Sequence, residues 1–238
     1  MDLQLRDKVA IVTGSSKGLG LAAARALVAE GARVVMCARG ADALAAAAAD
    51  LRTLAGREDA VATVQADVST TDGCEQIVAK AVDAFGGVDI LVNNVAKAEG
   101  SDLMSTPDAE WTIALDHTLF PVVRCSRLVV PLMRERGGGV ILTIASIFGR
   151  ESGGRTTYNA VKAAQISLSK AMAQQLAKDN IRVNSIAPGS ILFEGGTWWK
   201  RQQDNPGKIA AFVSQEIPFG RFGKADEVGD VVAFLASP

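Results

Sequence analysis

The residues best suited to chemistry in this sequence are a tyrosine and a lysine four positions apart, Tyr158 and Lys162. On a helix this spacing places both side chains on one face, one turn apart. An ammonium group beside a phenol favours the phenolate, so it lowers the pKa of the phenol and makes Tyr158 a candidate proton donor. Ser146 follows the apolar run 139–145 and could add a hydroxyl at the same point. The alternative is a surface helix with an incidental lysine.

Composition limits the classes of protein to consider. The chain has 238 residues, of which 48% are hydrophobic and 21% charged, with a net charge of −1. These values predict a globular chain without a nucleic-acid-binding surface. No apolar run reaches the roughly 18 residues of a membrane span, and the charged N-terminal segment does not resemble a signal peptide. Three scattered cysteines and one histidine argue against a disulfide framework or a zinc site. We therefore expect a cytoplasmic protein without a metal.

Apolar, β-branched runs alternate with helical segments along the chain. The predicted strands are 8–13, 33–38, 60–66, 88–92, 140–145 and 181–187, and the predicted helices are 21–30, 42–55, 71–85, 106–136, 157–178 and 227–236, the last capped by Asp226. Strands separated by helices of this length predict an α/β fold, a Rossmann-type doubly wound parallel sheet with helices on both faces. Ligands of such sheets bind at the C-terminal ends of the strands.

A glycine-rich turn joins the first predicted strand to the first helix. It contains Gly14, Gly18 and Gly20. Glycines allow the backbone to approach a pyrophosphate closely, and the start of the helix offers free N–H groups to it. The alternative is an ordinary strand-to-helix turn, but this spacing in this context favours phosphate binding.

The end of the second strand should select the cofactor. In a dinucleotide-binding fold an acidic residue there binds the ribose 2′-hydroxyl. This chain has Cys37, Ala38 and Arg39 instead, and Lys17 lies in the glycine turn. Two cations and no carboxylate favour NADP over NAD. The alternative for Arg39 is a solvated loop charge.

Two later segments also lead to predictions. Thr106 should cap a long helix that runs to about residue 136, in which Pro121 leaves the carbonyl of His117 without a helical partner.

Residues 190–225 show no clean periodicity, and we predict that they form a mobile lid whose Trp198 and Trp199 contact the substrate. The alternative is an amphipathic surface helix that packs both tryptophans against its own body.

Five motifs together resemble the short-chain dehydrogenase/reductase family. They are ThrGlySerSerLysGlyLeuGly at 13–20, AsnAsnValAla at 93–96, Ser146, Tyr158-x-x-x-Lys162 and ProGly at 188–189. Their order and spacing match along essentially the whole chain. The resemblance implies a single dinucleotide-binding catalytic domain over 1–238, which transfers a hydride between a nicotinamide and a carbonyl or alcohol. It also implies a homo-oligomer, either a tetramer or a dimer.

The resemblance also implies roles for individual residues. Tyr158 is the acid/base, Lys162 lowers its pKa and binds the nicotinamide ribose, and Ser146 binds the substrate oxygen, as does Tyr158. Thr118 aligns with a fourth catalytic residue. The implied cofactor contacts are Gly14, Ser16, Lys17, Gly18, Leu19, Gly20, Arg39, Asp67, Val68, Asn93, Tyr158, Lys162, Pro188, Gly189 and Ile191.

Three departures from the family pattern matter. Val95-Ala96 replaces the usual AlaGly, which is a mild change. Thr118 replaces an asparagine whose main-chain carbonyl normally holds a water that connects the lysine to solvent, so we expect the Thr118 or His117 carbonyl to take over this role. The usual seventh strand would follow Pro238, so this strand and part of the usual tetramer contact are absent from our prediction.

Three functions remain open at this point. The first is an NADPH-dependent carbonyl reductase. The second is a 3-oxoacyl carrier-protein reductase, which needs a basic patch for its acidic partner, with Arg134, Arg136 and Lys178 as candidates. The third is an NADP-binding sensor or scaffold without turnover, against which the presence of Ser146 and the Tyr158–Lys162 pair argues.

Overall fold

A parallel sheet forms the centre of the computed structural model, which describes residues 1–97 and 99–238. Within these residues its six strands are β1 (Val9–Val12), β2 (Arg33–Ala38), β3 (Val61–Gln65), β4 (Ile90–Asn93), β5 (Gly139–Ile144) and β6 (Ile181–Ile186). Their order is β3-β2-β1-β4-β5-β6, and every neighbouring pair is parallel. This confirms the predicted Rossmann-type doubly wound sheet. The strand order reverses between β1 and β4, where such folds place their ligands.

Helices cover both faces of the sheet. The described helices are α1 (Gly18–Ala29), α2 (Ala41–Ala55), α3 (Thr71–Phe85), α4 (Asp108–Ala114), α5 (Phe120–Glu135), α6 (Thr156–Leu176), α7 (Thr197–Asp204), α8 (Pro206–Glu216) and α9 (Ala225–Ala236). Ala10 and Val12 of β1 pack with α1, α2 and α9, whereas Val9 and Ile11 pack with α3, α5 and α6. Because both faces are buried, the strands are apolar at successive positions rather than alternating.

The long helix predicted over 106–136 is interrupted. A π turn, Leu115–Leu119, lies between α4 and α5, and the N–H of Phe120 donates to the Leu115 carbonyl five residues earlier. Thr106 is not the cap. Its hydroxyl donates to the Asp102 carbonyl and accepts from the Ser101 N–H, and Pro107 occupies the cap position instead. The hydroxyl of Thr106 is therefore used to close the loop that precedes the helix.

The segment predicted as a lid has regular structure. It contains α7 and α8 and two short strands, β7 (Ile191–Leu192) and β8 (Gly223–Lys224), which pair in parallel. The final helix begins at Ala225 rather than after Asp226, and the Lys224 N–H donates to the Glu227 carboxylate at 2.8 Å. None of the helices in the described residues is both long and apolar enough to cross a membrane.

Candidate active site

The predicted site residues gather at one edge of the sheet. The glycine turn follows β1, Arg39 follows β2, Asp67 follows β3, Asn93 ends β4, Ser146 follows β5, and Pro188 and Gly189 follow β6. All of these are C-terminal ends of parallel strands, so the parallel fold alone brings residues from distant parts of the chain to one cleft.

The glycine turn is shaped for close approach of a ligand. Gly14 and Gly18 have φ angles of 63° and 59°, in the left-handed region that favours glycine. A Cβ on Gly20 would lie 2.4 Å from the Gly14 carbonyl oxygen, so α1 can start against the turn only because residue 20 has no side chain. Asn94 holds the turn, because its Nδ2 donates to the carbonyls of Thr13 at 2.9 Å and Gly14 at 3.2 Å. Sequence reasoning had not assigned this role to Asn94.

A dinucleotide cofactor fits these residues. The Asn93 side chain is only 3% exposed, and neither polar atom of its amide has a partner in the described part of the chain. An unpaired buried amide is costly, so a ligand hydroxyl at this point would stabilise it. The Gly18 end of α1 adds free N–H groups that suit a phosphate. Lys17 and Arg39 are both exposed at the same edge.

Arg39 has a carboxylate neighbour. Its Nη1 atom lies 4.0 Å from Oδ2 of Asp67. Burial disfavours ionisation of Asp67, but hydrogen bonds from Ser69 and the charge of Arg39 outweigh it and hold the pKa of this carboxyl below its usual value. Asp67 is therefore an anion that partly offsets the charge of Arg39.

Three predicted cofactor residues have side chains turned toward the interior of the fold. Val68 is buried in the core formed with α3, and Leu19 and Ile191 pack against the core on the other face. Their contact with a cofactor stays a prediction, and for the buried Val68 it would have to come from main-chain atoms. Phe193, which the sequence had not suggested, lies directly on the glycine turn, since a Cβ on Gly18 would be 2.6 Å from its ring.

Ser146, Tyr158 and Lys162 converge beside this edge. Lys162 is 2% exposed, its Nζ donates to the Ile144 carbonyl at 2.7 Å, and it lies 5.6 Å from the centre of the Tyr158 ring. The Ser146 hydroxyl accepts a hydrogen bond from the Phe148 N–H at 3.2 Å and also interacts with the Tyr158 phenol. The arrangement places a hydroxyl, a phenol and an ammonium around one point, as their spacing had predicted.

The pKa values differ from the expectation for Tyr158. Burial raises the pKa of the Tyr158 phenol, and the hydrogen bond with Ser146 opposes this rise without cancelling it. The predicted lowering by Lys162 is therefore wrong for the ligand-free chain. Burial also lowers the pKa of Lys162 to about 7. A lysine near neutrality is only partly charged, which weakens its effect on the phenol.

Thr118 is fully buried and bonded in two directions. Its hydroxyl donates to the Lys97 carbonyl at 2.8 Å and accepts from the Lys97 N–H at 3.1 Å. Its carbonyl accepts from Nε2 of Gln165 at 2.7 Å. This carbonyl, at which a water was expected, therefore accepts a hydrogen bond from a side-chain amide. Gln165 was missed, although its position three residues after Lys162 places it on the same helix face.

Comparison with known proteins identifies the family. The short-chain dehydrogenase model matches residues 8–204. The chain belongs to the short-chain dehydrogenase family. The 3-oxoacyl-[acyl-carrier-protein] reductase of Escherichia coli is 35% identical over 236 residues, covering 99% of this chain and 92% of that protein. Dehydrogenase/reductase SDR family member 4 of Oryctolagus cuniculus is 37% identical over 238 residues, covering 98% of this chain and 88% of that protein.

Solved structures of the family superpose closely. L-sorbose reductase from Gluconobacter frateurii, complexed with NADPH and L-sorbose, has a TM-score of 0.93 at 37% identity, covering 100% of this chain and 92% of that one. A 7α-hydroxysteroid dehydrogenase complexed with NADH and 7-oxo glycochenodeoxycholic acid has a TM-score of 0.90 at 32% identity, covering 100% and 90%. The family therefore includes relatives of this chain with either nicotinamide cofactor.

Trp198 packs against aromatic side chains of its own segment, and its contact with substrate stays a prediction. Its ring stacks on Phe212 at 4.6 Å between centroids and contacts Phe222 at 5.3 Å, with the Arg201 guanidinium 5.0 Å above it. Trp198 thus packs inside its own segment, as the alternative interpretation held. Trp199 is half-buried, and its contact with substrate stays a prediction.

The basic patch suggested for an acidic carrier protein is not formed at the cleft. Arg134 pairs with Asp179 at 2.7 Å, and Arg136 pairs with Asp89 at 2.9 Å. Both arginines lie at the end of α5, just before β5 begins, and Lys178 follows α6, just before β6 begins. They are therefore at the N-terminal edge of the sheet, opposite the candidate site.

Proposed function

We propose that this chain transfers a hydride between NADP(H) and a carbonyl or alcohol substrate, and that it acts chiefly as a ketone reductase. The observation that supports this most directly is the convergence of Ser146, Tyr158 and the buried Lys162 at the sheet edge that carries the glycine turn. A scaffold that only bound a dinucleotide would have no need to bury a lysine beside a phenol.

The proposed roles follow from the chemistry of each group. The nicotinamide cofactor, when bound, supplies the hydride for reduction. Tyr158 donates its phenolic proton to the substrate oxygen as negative charge develops there. Ser146 donates a hydrogen bond to the same oxygen and orients the carbonyl. The raised pKa of Tyr158 keeps its proton in place before reaction. The Lys162 ammonium then stabilises the phenolate that remains.

Cofactor choice rests on the charges near the adenosine end. Arg39 and Lys17 suit a 2′-phosphate, and β2 ends at Ala38 without the carboxylate that would repel it. The sorbose reductase, a similar structure, was solved with NADPH. The carboxylate of Asp67 beside Arg39 weakens this preference without reversing it, because two cations face one anion.

A 3-oxoacyl-[acyl-carrier-protein] reductase is the second candidate, supported by the similarity to the Escherichia coli enzyme. It uses the same proton donor and differs only in the substrate. Without the basic patch at the cleft, the sequence argument for an acidic carrier protein is lost. The alternative outside the enzymes is a sensor or scaffold that binds NADP without turnover.

The deciding experiment measures consumption of NADPH, with NADH in parallel. The substrates are a ketose such as L-sorbose, a 7-oxo bile acid, small ketones and quinones, and a 3-oxoacyl thioester. Tyr158→Phe is the control, and we expect it to bind NADPH normally without turnover. Turnover restricted to the thioester would favour the second candidate. Tight NADPH binding with no turnover of any substrate would favour the sensor.

We also propose a cytoplasmic homo-oligomer, a tetramer or dimer, in which residues 1–238 act as one catalytic domain and residues 190–225 cover the substrate. The exposed Val231 and Phe234 on α9 support an oligomer, since they offer apolar surface for a second copy. Light scattering of the purified chain tests the oligomer. A monomer at all concentrations would contradict it.

A further inference from the structure

A chain of side-chain contacts links Lys162 to the π turn. The Nζ atom of Lys162 donates to the Ile144 carbonyl at 2.7 Å and to Oε1 of Gln165 at 2.9 Å. Nε2 of Gln165 donates in turn to the Thr118 carbonyl at 2.7 Å. Gln165 is 1% exposed. The ammonium is therefore held by two oxygens, one from the end of β5 and one from the next turn of its own helix.

The orientation of the Gln165 amide is fixed by its neighbours. An ammonium group can only donate hydrogen bonds, and a carbonyl oxygen can only accept them. The amide oxygen must therefore face Lys162 and the amide nitrogen must face Thr118. A flipped amide would place two donors together and two acceptors together. The side chain thus has one stable orientation, and its dipole points toward the ammonium.

Among the residues that the structure describes, these contacts leave one hydrogen of the ammonium unused. An ammonium has three N–H groups, and two are taken by Ile144 and Gln165. The remaining N–H is free for another acceptor, and the centre of the Tyr158 ring lies 5.6 Å from Nζ. Two acceptors inside the fold also favour the charged form of the lysine against the effect of burial. The hydrogen bond to Gln165 therefore acts on both the position and the charge of Lys162.

We propose that Gln165 is a positioning residue for the proposed hydride transfer. It favours the charged form of Lys162 and fixes the position of the ammonium group beside Tyr158, 5.6 Å from the ring centre. The catalytic part of this inference rests on the proposed function. The effect on Lys162 itself does not, so the two can be tested separately.

The test compares three variants of the full chain. Gln165→Leu removes both polar contacts at similar volume, and Gln165→Glu keeps an acceptor beside Lys162 while adding a negative charge. Ser169→Ala is the matched control, because Ser169 lies one turn later on the same helix, is 2% exposed and contacts the Thr143 hydroxyl at 3.3 Å instead. Thermal unfolding checks that each variant is folded, and Gln165→Glu serves if Gln165→Leu is not.

The first measurement is the titration of Lys162 in the ligand-free chain, followed by NMR of ¹³C-labelled lysine and assigned with Lys162→Met. Loss of one hydrogen bond to a charged group should lower the pKa of Lys162 by about one unit in Gln165→Leu. We expect Gln165→Glu to raise it and Ser169→Ala to leave it unchanged. Equal pKa values in all variants would overturn the proposal whether or not the chain is an enzyme.

The second measurement is turnover with NADPH and the best substrate of the native chain. A positioning role predicts that Gln165→Leu lowers kcat at least about tenfold, the effect of losing roughly one hydrogen bond to a charged group, while KM for NADPH changes less. Reduced kcat with an unchanged Lys162 titration would mean that Gln165 is merely structural. If the native chain shows no turnover, the proposed function fails, and the titration alone decides the role of Gln165.

Discussion

Replacing Arg39 with glutamine should weaken NADPH binding about tenfold and leave NADH binding unchanged. The Arg39 side chain is 69% exposed, and Asp67 lies 4.0 Å from it. At this distance in water two opposite charges interact by about 1 kcal/mol, which is too little to hold the guanidinium away from a ligand. A hydrogen bond to a charged group contributes roughly 1.5–3 kcal/mol. Because Arg39 is exposed we take the lower end, which corresponds to about a tenfold change in Kd.

Glutamine is the informative substitution because it removes the charge without adding another. An aspartate at this position would stand beside Asp67, so repulsion between two carboxylates would confuse the result. Asp67→Asn is the complementary variant. It removes the competing anion, and we expect NADPH affinity to rise by a fewfold relative to NADH affinity, since the interaction is worth only about 1 kcal/mol.

The assay is the Kd of each cofactor from the fluorescence of the reduced nicotinamide, at low salt and at about 0.15 M salt, where exposed charges are screened. Arg134→Gln is the control, because Arg134 is a 50% exposed arginine at the opposite edge of the sheet. An equal loss of affinity for both cofactors, or no loss for either, would refute the assignment of Arg39 to the 2′-phosphate.

Three further predictions address the glycine turn, the segment over the site and the buried lysine. Gly20→Ala should lower stability by about 1–3 kcal/mol, because its Cβ would meet the Gly14 carbonyl; an unchanged melting temperature and NADPH affinity would contradict this. Trp198→Ala should speed limited proteolysis within residues 190–225 with NADPH affinity unchanged, because the ring packs inside that segment; a higher KM for bulky substrates without faster cleavage would place the ring in the substrate pocket. Lys162→Met should be more stabilising at pH 6 than at pH 9. Below its folded pKa of about 7 the lysine is buried as a cation. Between about pH 7 and pH 9 the folded state has lost the proton while the unfolded state keeps it up to about pH 10.4, so native stability rises by about 3 kcal/mol. Urea unfolding of the native chain and of Lys162→Met at both pH values measures the difference in stability. An equal difference at both pH values would be inconsistent with a lowered pKa of Lys162.

The fold was predictable because its signals are local. Each strand is an apolar run closed by a turn, and each helix carries its own periodicity, so the parallel sheet followed from their alternation. The same parallel arrangement explains why Ser146 and Asn93 could be placed at one edge without knowledge of any contact. Tyr158 and Lys162 were found for an equally local reason, since four residues make about one helical turn.

Properties that depend on burial and packing could not be predicted in this way. The sequence showed that a cation lies near Tyr158. It did not show that burial would have a larger effect than this cation and raise the pKa of the phenol. It showed the neighbouring tryptophans Trp198 and Trp199, but not that the ring of Trp198 would pack against Phe212 and Phe222 of the same segment. Gln165 is the exception, because a glutamine among apolar residues on the lysine-bearing face of α6 was a readable signal.

The π turn between α4 and α5 determines how α5 is rotated about the helix axis relative to α4. One residue on an α-helix corresponds to about 100° of rotation about the axis. If the extra residue of Leu115–Leu119 were deleted to give a continuous helix, either α4 or α5 would turn by that angle. The stripe of α5 that includes Val122, Cys125 and Val129 would then swing away from the sheet. The inserted residue therefore has two effects. It directs the Thr118 carbonyl at Gln165, and it turns the apolar stripe of α5 toward the core. We therefore expect a chain with a single-residue deletion in this turn to misfold, so that the effect of the deletion on catalysis cannot be measured. Substitutions that keep the length of the turn should be tolerated.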